Sequence, residues 1–292
     1  MNRTDFIRTL EMAESVPIVL SFSGGKDSVL AAARLRAGGW EISALLAAFV
    51  ADERSLVMHG VPETLIASQA ASLGLPLAPL LLPRDPPNAI YEECLAEALA
   101  PYRAAGVRHV AFGDLFLTDI RAYRDALMAR LGFESVYPLW NENTRALADA
   151  FVREGYCGVT VCVDASRLSP EWVGRDLDAS FFASLPPDID PCGENGEFHS
   201  FVYGGPGFFY PVRLDRSAPR SAGRFHYCDL RARSANNTCP RCGTFFECGV
   251  KTGVDPCWCA TLPPITPSTL TDRCLCPRCL QALIAESAIA RR

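Results

Sequence analysis

The chain has 292 residues, 49% of them hydrophobic and 21% charged, which supplies core for two or three folded units and excludes an intrinsically disordered chain. No stretch reaches membrane-spanning length and Met1–Val16 holds no long apolar run, so a cytoplasmic protein with no membrane partner is expected. The net charge of −5 is unevenly spread: residues 213–292 carry 12 basic and 6 acidic side chains, +6, leaving −11 for residues 1–212.

Thr4–Glu14 reads as a short amphipathic helix. Ile18-Val19-Leu20 is then an apolar run suited to a buried strand, followed by Ser21-Phe22-Ser23-Gly24-Gly25-Lys26-Asp27-Ser28 and an Ala/Leu-rich helix through Leu35. A strand, a glycine turn and a helix N-terminus make an anion cradle, because successive N–H groups converge and the helix dipole favours negative charge. Lys26, one of only two lysines in the chain, adds a full positive charge. Ser21, Ser23 and Ser28 add hydroxyls, and Asp27 can cap the helix or hold a metal ion. The spacing differs from that of the GxxxxGK[ST] loop.

Beyond it, strands are predicted over Trp40–Val50, Leu75–Leu82, His109–Phe112, Glu134–Trp140 and Gly158–Val163. Helices are predicted over Pro62–Leu73, Asn88–Ala105, Leu117–Leu131, Thr144–Glu154 and Ser169–Ser184. This alternation is the pattern of a parallel sheet covered on both faces. Loops at the carboxyl ends of such strands bind ligands, which makes His59, Gly113 and Asp114 candidates. Ile120, Tyr123, Leu127 and Leu131 form one helical stripe, flanked by Arg121 and Arg124, which could reach a phosphate or carboxylate. Cys192-Gly193-Glu194-Asn195-Gly196-Glu197-Phe198-His199-Ser200 crowds acids, an amide and an imidazole into nine residues. It reads as a polar hairpin or as an acceptor pocket in which Glu197 or His199 is a general base.

Residues 213–236, rich in Arg, Ser, Ala and Pro, read as a linker. Beyond it lie Cys239, Cys242, Cys248, Cys257, Cys259, Cys274, Cys276 and Cys279, with two C-P-R-C pairs and two C-x-C pairs. Eight thiolates suit two structural Cys₄ zinc sites, with the ligand pairing left open. Two such sites would bring the tail's charge near +2, which weakens the case for a nucleic-acid partner.

The SGGKDS loop resembles the pyrophosphate loop of the N-type ATP pyrophosphatases. That loop, the Gly113–Arg124 segment, Pro138-Leu139-Trp140 and the CGENGEFHS run occur in one order and together resemble the diphthine–ammonia ligase family over about residues 17–210. His199 and Asn195 resemble the Asn/His-bearing bacterial branch rather than the diphthamide-forming one, and the tail resembles the cysteine-rich CWC domain. The resemblance implies a Rossmann-like α/β domain of the adenine nucleotide alpha-hydrolase type over 1–132. A smaller α/β acceptor domain over 133–212 and a zinc domain over 237–292 would follow. It implies ATP with Mg²⁺, adenylation of a carboxylate, and amidation by ammonia. Lys26, Asp27, Glu197 and His199 would be catalytic. Ser21, Ser23, Gly24, Gly25, Lys26, Asp27, Ser28, His59, Gly113 and Asp114 would hold nucleotide. Arg121, Arg124, Glu194, Asn195, Gly196, Glu197 and His199 would hold the acceptor, a small molecule (a corrinoid among the candidates) or a protein. A tRNA-thiolating pyrophosphatase and a non-catalytic nucleotide-binding protein with an interaction tail are the competing readings. A homo-oligomer is compatible with either.

Overall fold

The computed structural model describes residues 15–265 and 274–289; the helix expected over Thr4–Glu14 lies outside the described residues. Five parallel strands form the first sheet in the order β4 (Leu77–Leu82), β2 (Glu41–Val50), β1 (Pro17–Ser21), β5 (His109–Ala111) and β6 (Glu134–Val136). A two-residue strand, β3 (Ser55–Leu56), pairs antiparallel with the end of β2.

The apolar run of β1 is buried on both faces. Ile18 and Leu20 join one core cluster, and Val19, between them, joins the other. This is the period-two alternation of a strand covered on both sides. Helices α1 (Lys26–Ala37) and α2 (Glu63–Leu73) cover the first face with Leu30, Leu35, Leu65 and Ile66. Helices α3 (Asn88–Ala104) and α4 (Thr118–Leu131) cover the second with Leu95, Leu99, Leu127 and Met128. The stripe expected on α4 is only half realised: Ile120 and Tyr123 are each 37% exposed, because the buried arc near the helix end runs through Leu127 and Met128.

A second, antiparallel sheet has the order β10 (Arg220–Ala222), β11 (Phe225–Tyr227), β7 (Cys157–Asp164) and β8 (Phe198–Gly204). Helix α5 (Thr144–Arg153) precedes β7, with Asn143 capping it through the Ala146 N–H at 2.9 Å. Phe201 and Phe198 belong to the same buried cluster as β1 and α1, so the two sheets share one core.

Three stretches differ from the sequence expectation. Ser169–Ser184 is not one helix: a 3-10 turn at Pro170–Trp172 and α6 (Ala179–Ser184) flank an extended segment. In that segment Arg175 O accepts the Thr160 N–H at 2.9 Å, and Gly174 takes φ +79°. The strand at Glu134 stops at Val136, since Pro138–Trp140 turns. Residues 213–236, expected as a linker, instead form β9 (Leu214–Arg216), β10, β11 and β12 (Leu230–Ala232). β11 pairs with β7 in the second sheet, and β9 pairs with β12. Phe225 and Tyr227 alternate with His226 in a period-two pattern hidden among arginines and serines.

The cysteine-rich tail contains a short hairpin of β13 (Asn237–Thr238) and β14 (Phe245–Phe246), two 3-10 turns and α7 (Pro277–Ile289). Its core gathers Phe246, Trp258 and five cysteines, and Phe209 and Tyr210 pack against it. Among the described residues no helix is long and apolar enough to cross a membrane.

Candidate active site

Ser21 ends β1, and the chain turns through Phe22–Gly25 into α1 at the carboxyl edge of the sheet. Gly24 has φ +70°, and a Cβ there would lie 2.7 Å from both Gln69 Oε1 and Ile66 Cδ1. Glycine is required on both counts. Helix α1 begins after Gly25 with no side-chain cap, and its first turn faces the cavity. β8 of the second sheet holds the turn: the Val202 N–H donates to Gly24 O at 2.9 Å, and the Lys26 N–H donates to Ser200 Oγ at 3.2 Å. Ser28 Oγ donates to Gly25 O at 2.9 Å.

The cavity in front of this turn has two kinds of wall. Leu46, Ala48, Leu80, Leu95, Val110 and Phe112 form an apolar end with Tyr91 beside them. Ser21, Ser23, Gly25, Lys26, Asp27, Ser28, His59, Gly113, Asp114, Arg124, Glu194, Gly196, His199 and Ser200 form the polar remainder. Gly113 packs closely: a Cβ there would meet the Asp27 carbonyl carbon at 3.3 Å.

Lys26 is 3% exposed and its Nζ donates to Asp27 Oδ2 at 2.9 Å and to the Cys192 carbonyl. Burial opposes its charge, but the Asp27 carboxylate and the neighbouring Cys192 and Asp190 outweigh that and hold its pKa above the ordinary value. Burial pushes the Asp27 carboxyl up, against the pull of Lys26. Asp27 Oδ1 is buried without a hydrogen-bond partner. An unpaired carboxylate oxygen beside the glycine–lysine turn fits a hard cation such as Mg²⁺.

The structure brings His59 and His199 together, with ring centroids 4.4 Å apart and planes at 40°. His59 Nδ1 lies 3.1 Å from Val57 O and so carries the proton. Burial, with Lys26 nearby, lowers His59 to about 4; burial, His59 and Lys26 lower His199 to about 3. Both imidazoles are neutral at pH 7, the form a general base needs, but the lowered pKa makes His199 a weak one. Glu194 is better matched. Burial pushes its carboxyl up to about 7, although the Leu115 N–H donates to its Oε1 at 2.8 Å.

Two other acceptor candidates fall elsewhere. Glu197 is 2% exposed and folds back into its own loop, its Oε1 accepting from the Asp190 N–H at 3.2 Å and Asn195 Nδ2 at 3.1 Å. Asn195 is exposed and serves that same loop. Arg124 reaches the cavity, paired with Asp114 at 3.1 Å and lying over the Phe112 ring. Arg121 instead stacks on Tyr137 and Trp140, at 4.7 and 4.5 Å from their ring centroids. Sequence reasoning missed Tyr91 and Leu95, which helix packing alone delivers. It left Cys192 and Ser200 unassigned although both stand in the quoted motif.

In the tail, Cys239, Cys242, Cys276 and Cys279 place their sulfurs within 4.8 Å of one another, the one cysteine group at such spacing among the described residues. Cys242 and Cys276 Sγ are 3.6 Å apart. A tetrahedral zinc with bonds of about 2.3 Å needs sulfurs about 3.8 Å apart, so the set fits zinc. Cys248, Cys257, Cys259 and Cys274 line a neighbouring cavity with Trp258 and Leu262. None of the cysteines forms a disulfide.

A parallel α/β sheet with a glycine–lysine turn at its carboxyl edge, followed by a cysteine-rich tail, is consistent with a Rossmann-like PP-loop domain carrying a metal-binding tail. Residues 16–135 match the family model of the diphthamide synthase N-terminal domain, and residues 239–281 match that of the cysteine-rich CWC domain. The first likeness supports an ATP pyrophosphatase of the PP-loop type. No curated protein matches the chain in a sequence search.

Proposed function

We propose that the protein is an ATP-dependent amide ligase that adenylates a small carboxylate, releases pyrophosphate, and lets ammonia displace AMP. The carrying observation is that one cavity holds both Lys26, at the glycine turn, and Glu194, whose carboxyl burial pushes up to about 7. The apolar end suits a purine, with Tyr91 and Phe112 as ring-sized neighbours. The α1 first turn and Lys26 neutralise the leaving pyrophosphate. Asp27 would hold Mg²⁺, which supplies further charge on the phosphates.

Ammonia attacks the acyl carbon and must shed a proton as AMP leaves. Glu194 in its ionised form accepts that proton, while neutral His59 and His199 orient the acceptor by hydrogen bonds. Ammonia, free or delivered by a partner, and a corrinoid or other small carboxylate as acceptor, complete the reading, with a cytoplasmic location. We also propose that Cys248, Cys257, Cys259 and Cys274 hold a second zinc ion, supported by the Gly249 N–H donating to Cys257 Sγ at 3.2 Å.

The test is amide formation from a panel of carboxylates with ATP and ammonium, followed against pH. A group raised to about 7 is active when ionised, so kcat rises as pH climbs through about 7. Glu194→Gln keeps the acceptor for the Leu115 N–H but loses the base, and kcat falls about 10²–10⁴-fold with that inflection gone. The same inflection at undiminished rate in the variant would remove Glu194 from the chemistry.

A further inference from the structure

Gln69 is fully buried on α2, one helical turn before Ser72. Its Nε2 donates to Gly24 O at 3.0 Å and to Val202 O at 2.6 Å. With two carbonyl oxygens facing it, only the amide nitrogen can occupy that place. Gly24 O therefore accepts from both Gln69 and the Val202 N–H, which fixes the plane of the Gly24–Gly25 peptide. In a trans peptide the N–H points opposite to the carbonyl. Holding Gly24 O toward α2 thus turns the Gly25 N–H the other way, to Ser23 Oγ on the cavity side, at 3.4 Å.

The other end of α2 is gripped by residues 209–210, which pack against the tail. The Phe209 N–H donates to Ser72 O at 2.8 Å, the Tyr210 N–H donates to Ser72 Oγ at 3.3 Å, and Ser72 Oγ donates back to Tyr210 O. Phe209 and Tyr210 pack on Trp258 with ring centroids at 5.4 and 6.1 Å. Trp258 is fixed in the tail by its Nε1 donating to Glu247 O at 2.8 Å. Gly74, which ends α2, leaves room for Phe209 and for Gln281 of α7; a Cβ there would lie 3.0 and 3.1 Å from them. Gln69 and Ser72, three residues apart, are neighbours on the helix surface.

We propose that Gln69 is a positioning residue of the phosphate loop and that the cysteine-rich tail braces the loop through it. The path runs Trp258–Tyr210–Ser72–Gln69–Gly24. It rests on the reading of residues 23–28 as the phosphate site only for its effect on nucleotide, not for the brace itself.

The experiment is amide hydrogen exchange of the full-length, metal-loaded protein without nucleotide, on wild type, Gln69→Met, Ser72→Ala and the double variant. Neither Gln69 nor Ser72 lines the cavity. Exchange of the peptide covering residues 22–29 speeds at least tenfold in Gln69→Met and about threefold in Ser72→Ala. The double variant matches Gln69→Met, as expected for two residues on one path. Peptides covering 107–112 keep wild-type protection, which separates the effect from general unfolding. Unchanged exchange at 22–29 in Gln69→Met, or a Ser72→Ala effect confined to residues 205–212, overturns the brace. Binding of α,β-methylene-ATP with Mg²⁺ is measured alongside, and a tenfold weaker Kd in Gln69→Met is expected. Faster exchange with no analogue binding even by wild type would uphold the brace and sink the phosphate-site reading instead.

Discussion

Lys26→Met lowers ATP-to-AMP turnover by about 10²–10³-fold, about 3–4 kcal/mol of transition-state stabilisation, the typical cost of deleting one well-placed donor to a developing negative charge. Methionine keeps an unbranched stem near Phe198, whose ring centroid lies 5.1 Å from the lysine Nζ, so core packing is retained. Burial already pushes the Asp27 carboxyl up, which lessens the cost of leaving it without its lysine partner. The melting temperature therefore moves little while turnover collapses. Steady-state AMP release and a thermal melt on the same preparation check this; wild-type turnover would reduce the loop to a tight turn.

Removing zinc melts the tail. A structural zinc contributes on the order of 10–16 kcal/mol to small cysteine-rich folds, and the tail's own core is little more than Phe246, Trp258 and the cysteines. Metal analysis of purified protein returns two equivalents per chain, falling to one in Cys276→Ser. That variant loses the ligand cluster at Cys239, Cys242 and Cys279. Limited proteolysis then cuts within residues 237–289 while the parallel sheet survives. An intact, protease-resistant tail without zinc contradicts the assignment, and a single equivalent in wild type contradicts the second ion.

The first sheet was legible because its signals are local. A short apolar strand, a glycine turn and an Ala/Leu helix sit within nineteen residues, and the alternation of strands with helices repeats that unit. The glycine–lysine turn could be read for the same reason. The acceptor side could not, because its outcome depends on long-range packing. Composition marks Glu194, Glu197 and His199 alike as acid–base candidates. Only the fold turns Glu197 into its own loop, stacks His199 on His59 and leaves Glu194 half-buried at the cavity. Arg121 and Arg124 sit three residues apart on α4, yet Tyr137 and Trp140 capture the first and Asp114 the second. The strands within 213–236 were missed because arginines and serines mask the alternation of Phe225 and Tyr227, and because β11 gains its stability from β7, some sixty residues earlier.

Phosphorus NMR of the products of ATP incubated with Mg²⁺, ammonium and a carboxylate panel tests the account most directly. AMP and pyrophosphate in equal amounts, dependent on Lys26, is the result that follows from a phosphate cradle at residues 23–28. ADP and inorganic phosphate as the only products would contradict it.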